Sequence, residues 1–504
     1  MVFSNKKSPN QPKKHVASYQ TIEEVLTHAS QSDDFITREE WQVAKQKLTM
    51  FYFESMIDMQ KLPSHVLHPI SKLTHYTFEQ LKERLFTTEM KRCNTALEAD
   101  EGLLKGSILL LVEESRKTSY LLVDLSHQED REVTVPEIEF SVFGSKESFI
   151  ETVEVNINLL RRRIPSSDLY MKKYTVGSHS KTDVYVVYCQ SIANEENVAT
   201  VQKRMSELDI DQIQDASMLL QVIEDTRSIF PQIIDTERPD RSAGALLEGK
   251  IVILTNGSPQ ALITPVTAFQ FISAFEDYLL SWQTASALRL VRIMAVFFSI
   301  FATPLYVAIL TYHPEIIPQD LFSSLVVSRT AVPFPPIMEA LFLEITIELL
   351  REAGARLPTK VGQTIGIVGG IVIGTAAVEA GLTSNVLLII VSLAALASFT
   401  IPVYRMGTTI RFVRFPFIIA AQAWGLIAIA LVSIICMSHL LSLTSLGRPY
   451  MAPIYPFSFT DMKDSLLRLP QSMQGTRPRF LQTKRKKRPF NRHSKPKKDI
   501  DDGY

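Results

Sequence analysis

The sequence predicts a multi-domain membrane protein: an N-terminal soluble α/β domain followed by an all-α transmembrane domain. Three observations carry this prediction. The first is where the charge lies. The 504 residues hold 53 basic and 53 acidic side chains, but 30 and 41 of them precede residue 285, nine and seven lie from Ala285 to Ser445, and 14 and five from Leu446 to Tyr504. A zero sum therefore hides an acidic, a nearly neutral and a basic region. The second is a set of uncharged apolar segments after residue 285, each near the roughly 20 residues that a bilayer core demands. The third is the alternation of short Val- and Leu-rich runs with helical periodicity between residues 96 and 266. Nineteen glycines and only three cysteines, Cys93, Cys189 and Cys436, exclude a collagen-like fibre and a disulfide scaffold.

Taken in order, residues 1–95 read as a polar helical segment. Met1 to Gln20 has lysines but no apolar core, unlike a signal peptide, so the region after it is expected on the cytoplasmic side. Trp41, Leu48, Phe51, Phe53 and Met56 recur at helical spacing within Thr37 to Lys61, which predicts a surface helix or helix pair. Residues 96–266 form the α/β domain. Its predicted strands are Ser107–Val112, Ser119–Asp124, Leu169–Val176 and Asp183–Tyr188, and its predicted helices are Ser148–Arg163 and Glu195–Leu208. The first helix ends in Arg161, Arg162 and Arg163, a run that either solvates a helix end or meets phosphate or lipid head groups. Ile251–Leu254 and Ala261–Ile263 flank Asn256-Gly257, a hairpin signal because this dipeptide tolerates positive φ. Residues 267–288 read as an interfacial linker, since Phe269, Phe271, Phe275, Tyr278 and Trp282 suit a headgroup layer.

Residues 289–445 form the membrane region, with four or five helices. Ile293–Tyr312, Val361–Val378, Leu382–Tyr404 and the run Phe415–Gly447 are long enough and uncharged enough to span. A fifth helix within 335–352 is amphipathic or re-entrant, because Glu339, Glu344 and Glu348 each cost about 2.5 to 3.5 kcal/mol at a bilayer centre. These acids either wet one edge of that helix or form an acidic vestibule that concentrates cations. Four spans return the basic tail, 446–504, to the cytoplasm but put Arg405, Arg411 and Arg414 outside, whereas five spans do the reverse. A re-entrant piece around Pro449 to Pro456 reconciles the two, and the tail is expected to be cytoplasmic and largely disordered.

The segment Val361–Gly381 is the most informative. Gly362, Gly366, Gly370 and Gly374 recur every four residues, a stripe that lets backbones approach closely. Thr364, Val368, Val372, Thr375 and Glu379 lie opposite. If subunits close into a ring, this second face lines an axis with two apolar collars, hydroxyls and a carboxylate, and such constrictions gate by dewetting. Alternatively the glycines pack the helix in its own bundle and Glu379 caps its end. No P-loop, dinucleotide fingerprint, HExxH pair or G-x-S-x-G elbow is present, so the reading is a non-enzyme without cofactor or metal site.

Five ordered strings carry a resemblance: FGSKESFIETVEVNINLLRRRI (Phe143 to Ile164), FPQIIDTERPD (Phe230 to Asp240), LLEGKIVILTNGSPQALITP (Leu246 to Pro265), PFPPIMEALFLEITIELLREAGARLP (Pro333 to Pro358) and GQTIGIVGGIVIGTAAVEAGLTS (Gly362 to Ser384). Together they resemble the A-subunit family of spore germinant receptors, the GerA type. Gly144-Ser145-Lys146-Glu147 and Asn256 depart from the family's usual pattern, as do the first 95 residues and the basic tail. The resemblance implies a subunit in the spore inner membrane that works with a transporter-like B subunit sensing the nutrient and a lipoprotein C subunit. It further implies a homo-oligomer, a pentamer, conducting cations when nutrient binds, with membrane lipid rather than nucleic acid as its surroundings. A non-conducting scaffold or signal-transducing subunit is the alternative. A secondary transporter fits less well, because the spans are too few for two repeats.

Overall fold

The computed structural model describes residues 19–43, 46–73, 78–85, 90–114, 117–126, 136, 139, 144–356, 370, 372–470 and 473–488. Two antiparallel five-stranded sheets come first. Strands β1 (Phe35–Val43), β2 (Gln46–Phe53), β3 (Met90–Cys93), β4 (Ser107–Glu114) and β5 (Lys117–Asp124) form one in the order β1-β2-β4-β5-β3. Both its faces are covered. Leu48, Met50, Tyr52, Ile108, Leu110, Leu121 and Val123 pack on one side with Leu62, Val66 and Ile70. Phe53 and Leu109 pack on the other against helices α1 (Ile22–Ala29) and α2 (Ala96–Leu104). This corrects the helix expected over Thr37–Lys61, which is largely a hairpin. With both faces apolar the period of two is blurred, and the i, i+3 spacings of Leu48 to Phe51 and Phe53 to Met56 imitate a helix. The boundary expected at residue 95 also falls inside this lobe, since β3 pairs with β5.

The second sheet joins β6 (Leu169–Val176), β7 (Thr182–Cys189), β8 (Ile234–Thr236), β9 (Ile251–Thr255) and β10 (Ala261–Thr264) in the order β6-β7-β9-β10-β8. Its alternation is clean. Val184, Val186, Ile251 and Ile253 face helices α4 (Glu195–Ser206) and α5 (Ala216–Ile223), while Tyr185, Val187, Val252 and Leu254 face α3 (Val153–Arg163) and α6 (Pro239–Glu248). The β9–β10 turn follows the predicted chemistry, with Gly257 at φ +83.

Arg161 locks the two lobes together. Its Nε and Nη2 donate to Asp34 at 2.7 and 2.6 Å, and its guanidinium lies 4.0 Å from the centre of the Phe53 ring. Ser32 and Ser55 also donate to Asp34, at 2.6 and 2.9 Å. Burial pushes the Asp34 carboxyl up, but the Arg161 charge and these hydrogen bonds outweigh it and hold the group below the usual carboxylate range. The first arginine of the basic run is thus an internal counter-charge. Only Arg162 of the three is exposed, and Arg163 pairs with Glu147.

The C-terminal half is a bundle built from α7 (Trp282–Tyr312), α8 (Gln319–Arg329), α9 (Pro336–Arg356), the helical residues 372–379, α10 (Asn385–Ser398) and α11 (Tyr404–Ser442). By length and composition, α7 and α11 can cross a membrane. The 39-residue α11 is not straight: Trp424 and Gly425 leave helical geometry, with Gly425 at φ +62. Arg405 pairs with Glu224 at 2.6 Å, and His439 meets Ser228 at 2.9 Å. A straight helix would hold those two residues about 50 Å apart, so α11 is a hairpin with both feet on the same stretch of the α/β domain. The Tyr312 hydroxyl lies at its apex, 2.7 Å from the Gln422 carbonyl and 3.0 Å from that of Ala423, where the broken helix leaves acceptors open.

This hairpin removes the conflict over spans. Arg405, Arg411 and Arg414 belong to the outgoing arm of α11 and not to a loop, and the long uncharged run contains a reversal. The tail is also not the largely disordered segment expected from Leu446 onward. Ser445 donates to the Gln232 carbonyl at 2.6 Å, Tyr450 to that of Pro231 at 2.8 Å, and Arg488 pairs with Glu248 at 3.1 Å. The piece expected to re-enter, Pro449–Pro456, therefore begins on the α/β domain, and the described tail lies on that domain's side of the bundle.

Candidate functional site

Polar chemistry inside the bundle follows α9, which runs antiparallel to α7 and to the outgoing arm of α11. Glu339 accepts from Arg329 at 2.9 Å and from the Ser384 backbone N–H at 3.0 Å, and the Tyr306 hydroxyl lies 3.1 Å from the Ser384 Oγ. Glu344 accepts from the Thr303 hydroxyl at 2.9 Å and from Arg414, whose other terminal nitrogen reaches Ser299 at 2.7 Å. Glu348 sits 3.0 Å from Arg411 Nε and 3.6 Å from Arg351. Descending α7 from Tyr306 to Ser299 thus meets successive rungs of one ladder.

The side chains of Glu344 and Arg414 are 3% and 2% exposed. Transferring two such charges out of water costs several kcal/mol per ion, and only close pairing with further hydrogen bonds offsets it. Thr303 and Ser299 supply those bonds. Glu339, Glu344 and Glu348, expected to wet an edge or line a vestibule, are each in an ion pair within a single chain. Helical spacing places Arg351 beside Glu348, as observed, but it does not reveal Arg329, Arg411 and Arg414. Arg411 and Arg414 stand one helical turn apart, the spacing that would place them against Glu348 and Glu344, but assigning residues 405–414 to a loop obscured it.

Gly362, Thr364, Gly366 and Val368 lie outside the described residues. In the part described, Val372 is 56% exposed, and Thr375 and Glu379 are also exposed. Gly374 and Ala377 are buried. A Cβ at Gly374 would stand 3.6 Å from Leu388 of α10, whereas one at Gly370 would meet none of the described residues within 4 Å. One glycine therefore packs within its own chain, and the other is exposed. Residue 381 lies beside the Ala331 carbonyl, so 372–379 ends at the face of the bundle remote from the α/β domain.

A second polar cluster fixes the start of α7. Asp277, fully buried, holds both Arg289 and Arg292, and Arg289 also reaches Asp464 of the tail. Ser286 donates to the Arg468 carbonyl at 2.9 Å. Linker, tail and first long helix therefore meet at one joint. Among the described residues no group of three or more His, Cys, Asp or Glu is placed to hold a metal.

Comparison with known proteins agrees with the five ordered strings. Spore germination protein GerQA of Bacillus cereus is 46% identical over 477 residues, covering 94% of this chain and 95% of that protein. Spore germination protein A1 of Bacillus subtilis (strain 168) is 36% identical over 447 residues, covering 88% and 92%. A crystal structure of the N-terminal domain of the A subunit of the Bacillus megaterium spore germinant receptor GerK3 aligns with 49% of this chain and 96% of its own, at 24% identity and a TM-score of 0.35, too low to carry a fold argument. With residues 20–480 matching the description Bacillus/Clostridium GerA spore germination protein, the chain belongs to the GerA family.

Proposed function

We propose that this chain is the A subunit of a nutrient germinant receptor in spores, held in the inner membrane by its helix bundle with the α/β domain on the cytoplasmic side. Its partners in this reading are a transporter-like B subunit and a lipoprotein C subunit. Copies of the chain assemble, as a pentamer, into a cation channel that opens when nutrient binds and starts germination. The observation that carries the reading is the outward face of residues 372–379. A mostly exposed Val372, followed by exposed Thr375 and Glu379, sets an apolar collar, a hydroxyl and a carboxylate on one exposed face, and apolar collars and acidic rings are groups an ion path uses. In this reading Thr364 and Val368 continue that face, Gly362, Gly366 and Gly370 serve close packing between helices, and Glu339, Glu344 and Glu348 lock the bundle rather than attract ions.

The non-conducting scaffold remains the second reading, because the bundle's own buried carboxylates are taken up by arginines. Flux measurement on the purified chain in liposomes separates the two. Sustained cation flux that rises in Val372→Ala or Val368→Ala supports the channel. Absence of flux under every gating condition supports the scaffold, whereas flux that neither substitution alters excludes the scaffold and takes Val368 and Val372 out of the conducting path.

A further inference from the structure

Where α6, the 267–288 linker and the tail meet, they line an open cleft of about 580 Å³. That is the size of a small-molecule site. Five basic side chains line it, Arg241, Lys250, Arg468, Arg477 and Arg488, against two carboxylates, Asp240 and Glu248. Both acids are already matched. Asp240 pairs with Arg238 at 2.8 Å, and Glu248 with Lys250 at 3.3 Å and Arg488 at 3.1 Å. Arg241 pairs with Glu139. Two guanidiniums remain. Among the described residues Arg477 donates only to the neutral carbonyls of Leu247, Arg485 and Lys487. Arg468 lies 4.4 Å over the Tyr278 ring and donates to the Tyr278 carbonyl at 3.3 Å. Its Nη1 has no partner among the described residues, although the residue is only 9% exposed. The nearby carboxylate Asp464 lies 3.4 Å from Arg289 and offsets the Arg468 charge without a direct ion pair.

We propose that this cleft binds a phosphate-bearing anion, either a soluble organic phosphate or the headgroup of an anionic phospholipid. Two forks without a direct carboxylate ion pair among the described residues, set in one cleft, suit the charge of about −2 on a phosphate monoester and its array of acceptors. Ile234, Leu247, Ile263 and Phe275 offer an apolar wall to whatever carries the phosphate. Burial and the like charges of Arg488 and Arg485 pull the Arg477 guanidinium below its ordinary range, a penalty that a bound anion relieves. Because Arg468 is tied to Ser286 near the start of α7, an occupied site draws α6, linker, tail and first long helix together. The inference goes beyond the receptor reading and does not depend on channel activity.

The test uses the full-length protein in phosphatidylcholine nanodiscs. One arm titrates glycerol 3-phosphate by calorimetry, and the other compares thermal midpoints in nanodiscs with and without phosphatidic acid. Binding or stabilisation in either arm, reduced at least tenfold or abolished in Arg468→Gln and partly kept in Arg468→Lys, is the expected result, and the responding arm identifies the source. Gly244→Phe provides a second variant, since a side chain at Gly244 enters open space in the cleft and leaves every arginine in place. No response in either arm overturns the proposal. A response of equal size in wild type, Arg468→Gln and Gly244→Phe overturns it as well.

Discussion

Replacing Arg414 by Gln tests the ladder at its most buried rung. The substitution leaves Glu344 at 3% exposure with the Thr303 hydroxyl as its remaining hydrogen-bond donor among the described residues. Removing one member of a buried pair costs about 3–5 kcal/mol, most of it the desolvation of the abandoned charge. Glu344→Gln alone strands Arg414 and should cost a similar amount. The double variant Glu344→Gln/Arg414→Gln strands neither, so its loss should be smaller than either single one. The coupling should then reach at least about 2 kcal/mol, a factor of roughly 30 in the folded-to-unfolded ratio. Unfolding of the full-length protein by SDS from mild-detergent micelles, followed by tryptophan fluorescence, measures all four corners of the cycle. The reversed pair Glu344→Arg/Arg414→Glu should recover part of the loss. Additive single losses, or an Arg414→Gln variant within about 0.5 kcal/mol of the parent, would refute the claim that the rung is a desolvated ion pair.

Two further outcomes follow from geometry outside the ladder. Because the folded Asp34 carboxyl lies below its usual range, its stabilising contribution is complete above the unfolded value of about 3.9 and is lost as pH falls through the lower folded value. Limited proteolysis at the seam between the lobes should therefore accelerate in strong acid, and Asp34→Asn should already be susceptible near neutrality with a flatter acid response. Gly425→Ala should cost about 1–3 kcal/mol in thermal unfolding, since φ is +62 and a Cβ would stand 3.1 Å from both Tyr312 Cβ and His313 Nε2. Gly407→Ala, within the helical part of the same element and in ordinary contact at 3.6 Å, should be neutral or stabilising by up to about 1 kcal/mol.

Legibility from sequence tracked how far each element's packing is one-sided. The strand Leu169–Val176 agrees with the structure residue for residue, and β7, β9 and β10 within one residue at each end, because their turns are marked by Gly177 and Asn256-Gly257 and their alternation is undisturbed. The first sheet was hidden at β1 and β2, where apolar residues serve both faces. In the bundle, a count of formal charge located α7 and α10 but missed α8, the reversal in α11 and the partners of the buried acids. An arginine in an otherwise apolar helix reads as the end of a span, whereas Arg414 is tolerated deep inside because Glu344 and Ser299 await it on two other helices. That information is distributed over 115 residues of sequence separation and is invisible to any window. The hairpin in α11 was missed for a related reason: a lone glycine in an apolar run does not mark a reversal until Tyr312 and His313 are known to press against it.

The packing of the tail on the α/β domain has a consequence for biogenesis. Leu446 belongs to the same apolar cluster as Val184, Ile253 and Leu262, and Leu443 and Tyr450 belong to the cluster on the opposite face of that sheet. The domain's last strand ends at Thr264, about 180 residues before these side chains are synthesised. At roughly 5–20 residues per second, the ribosome delivers them some 10 to 40 s after the sheet can form. Throughout that interval the whole bundle is synthesised while the domain waits with an open apolar cleft. A nascent chain stalled before residue 446 should recruit chaperones, and one released after Arg488 should not.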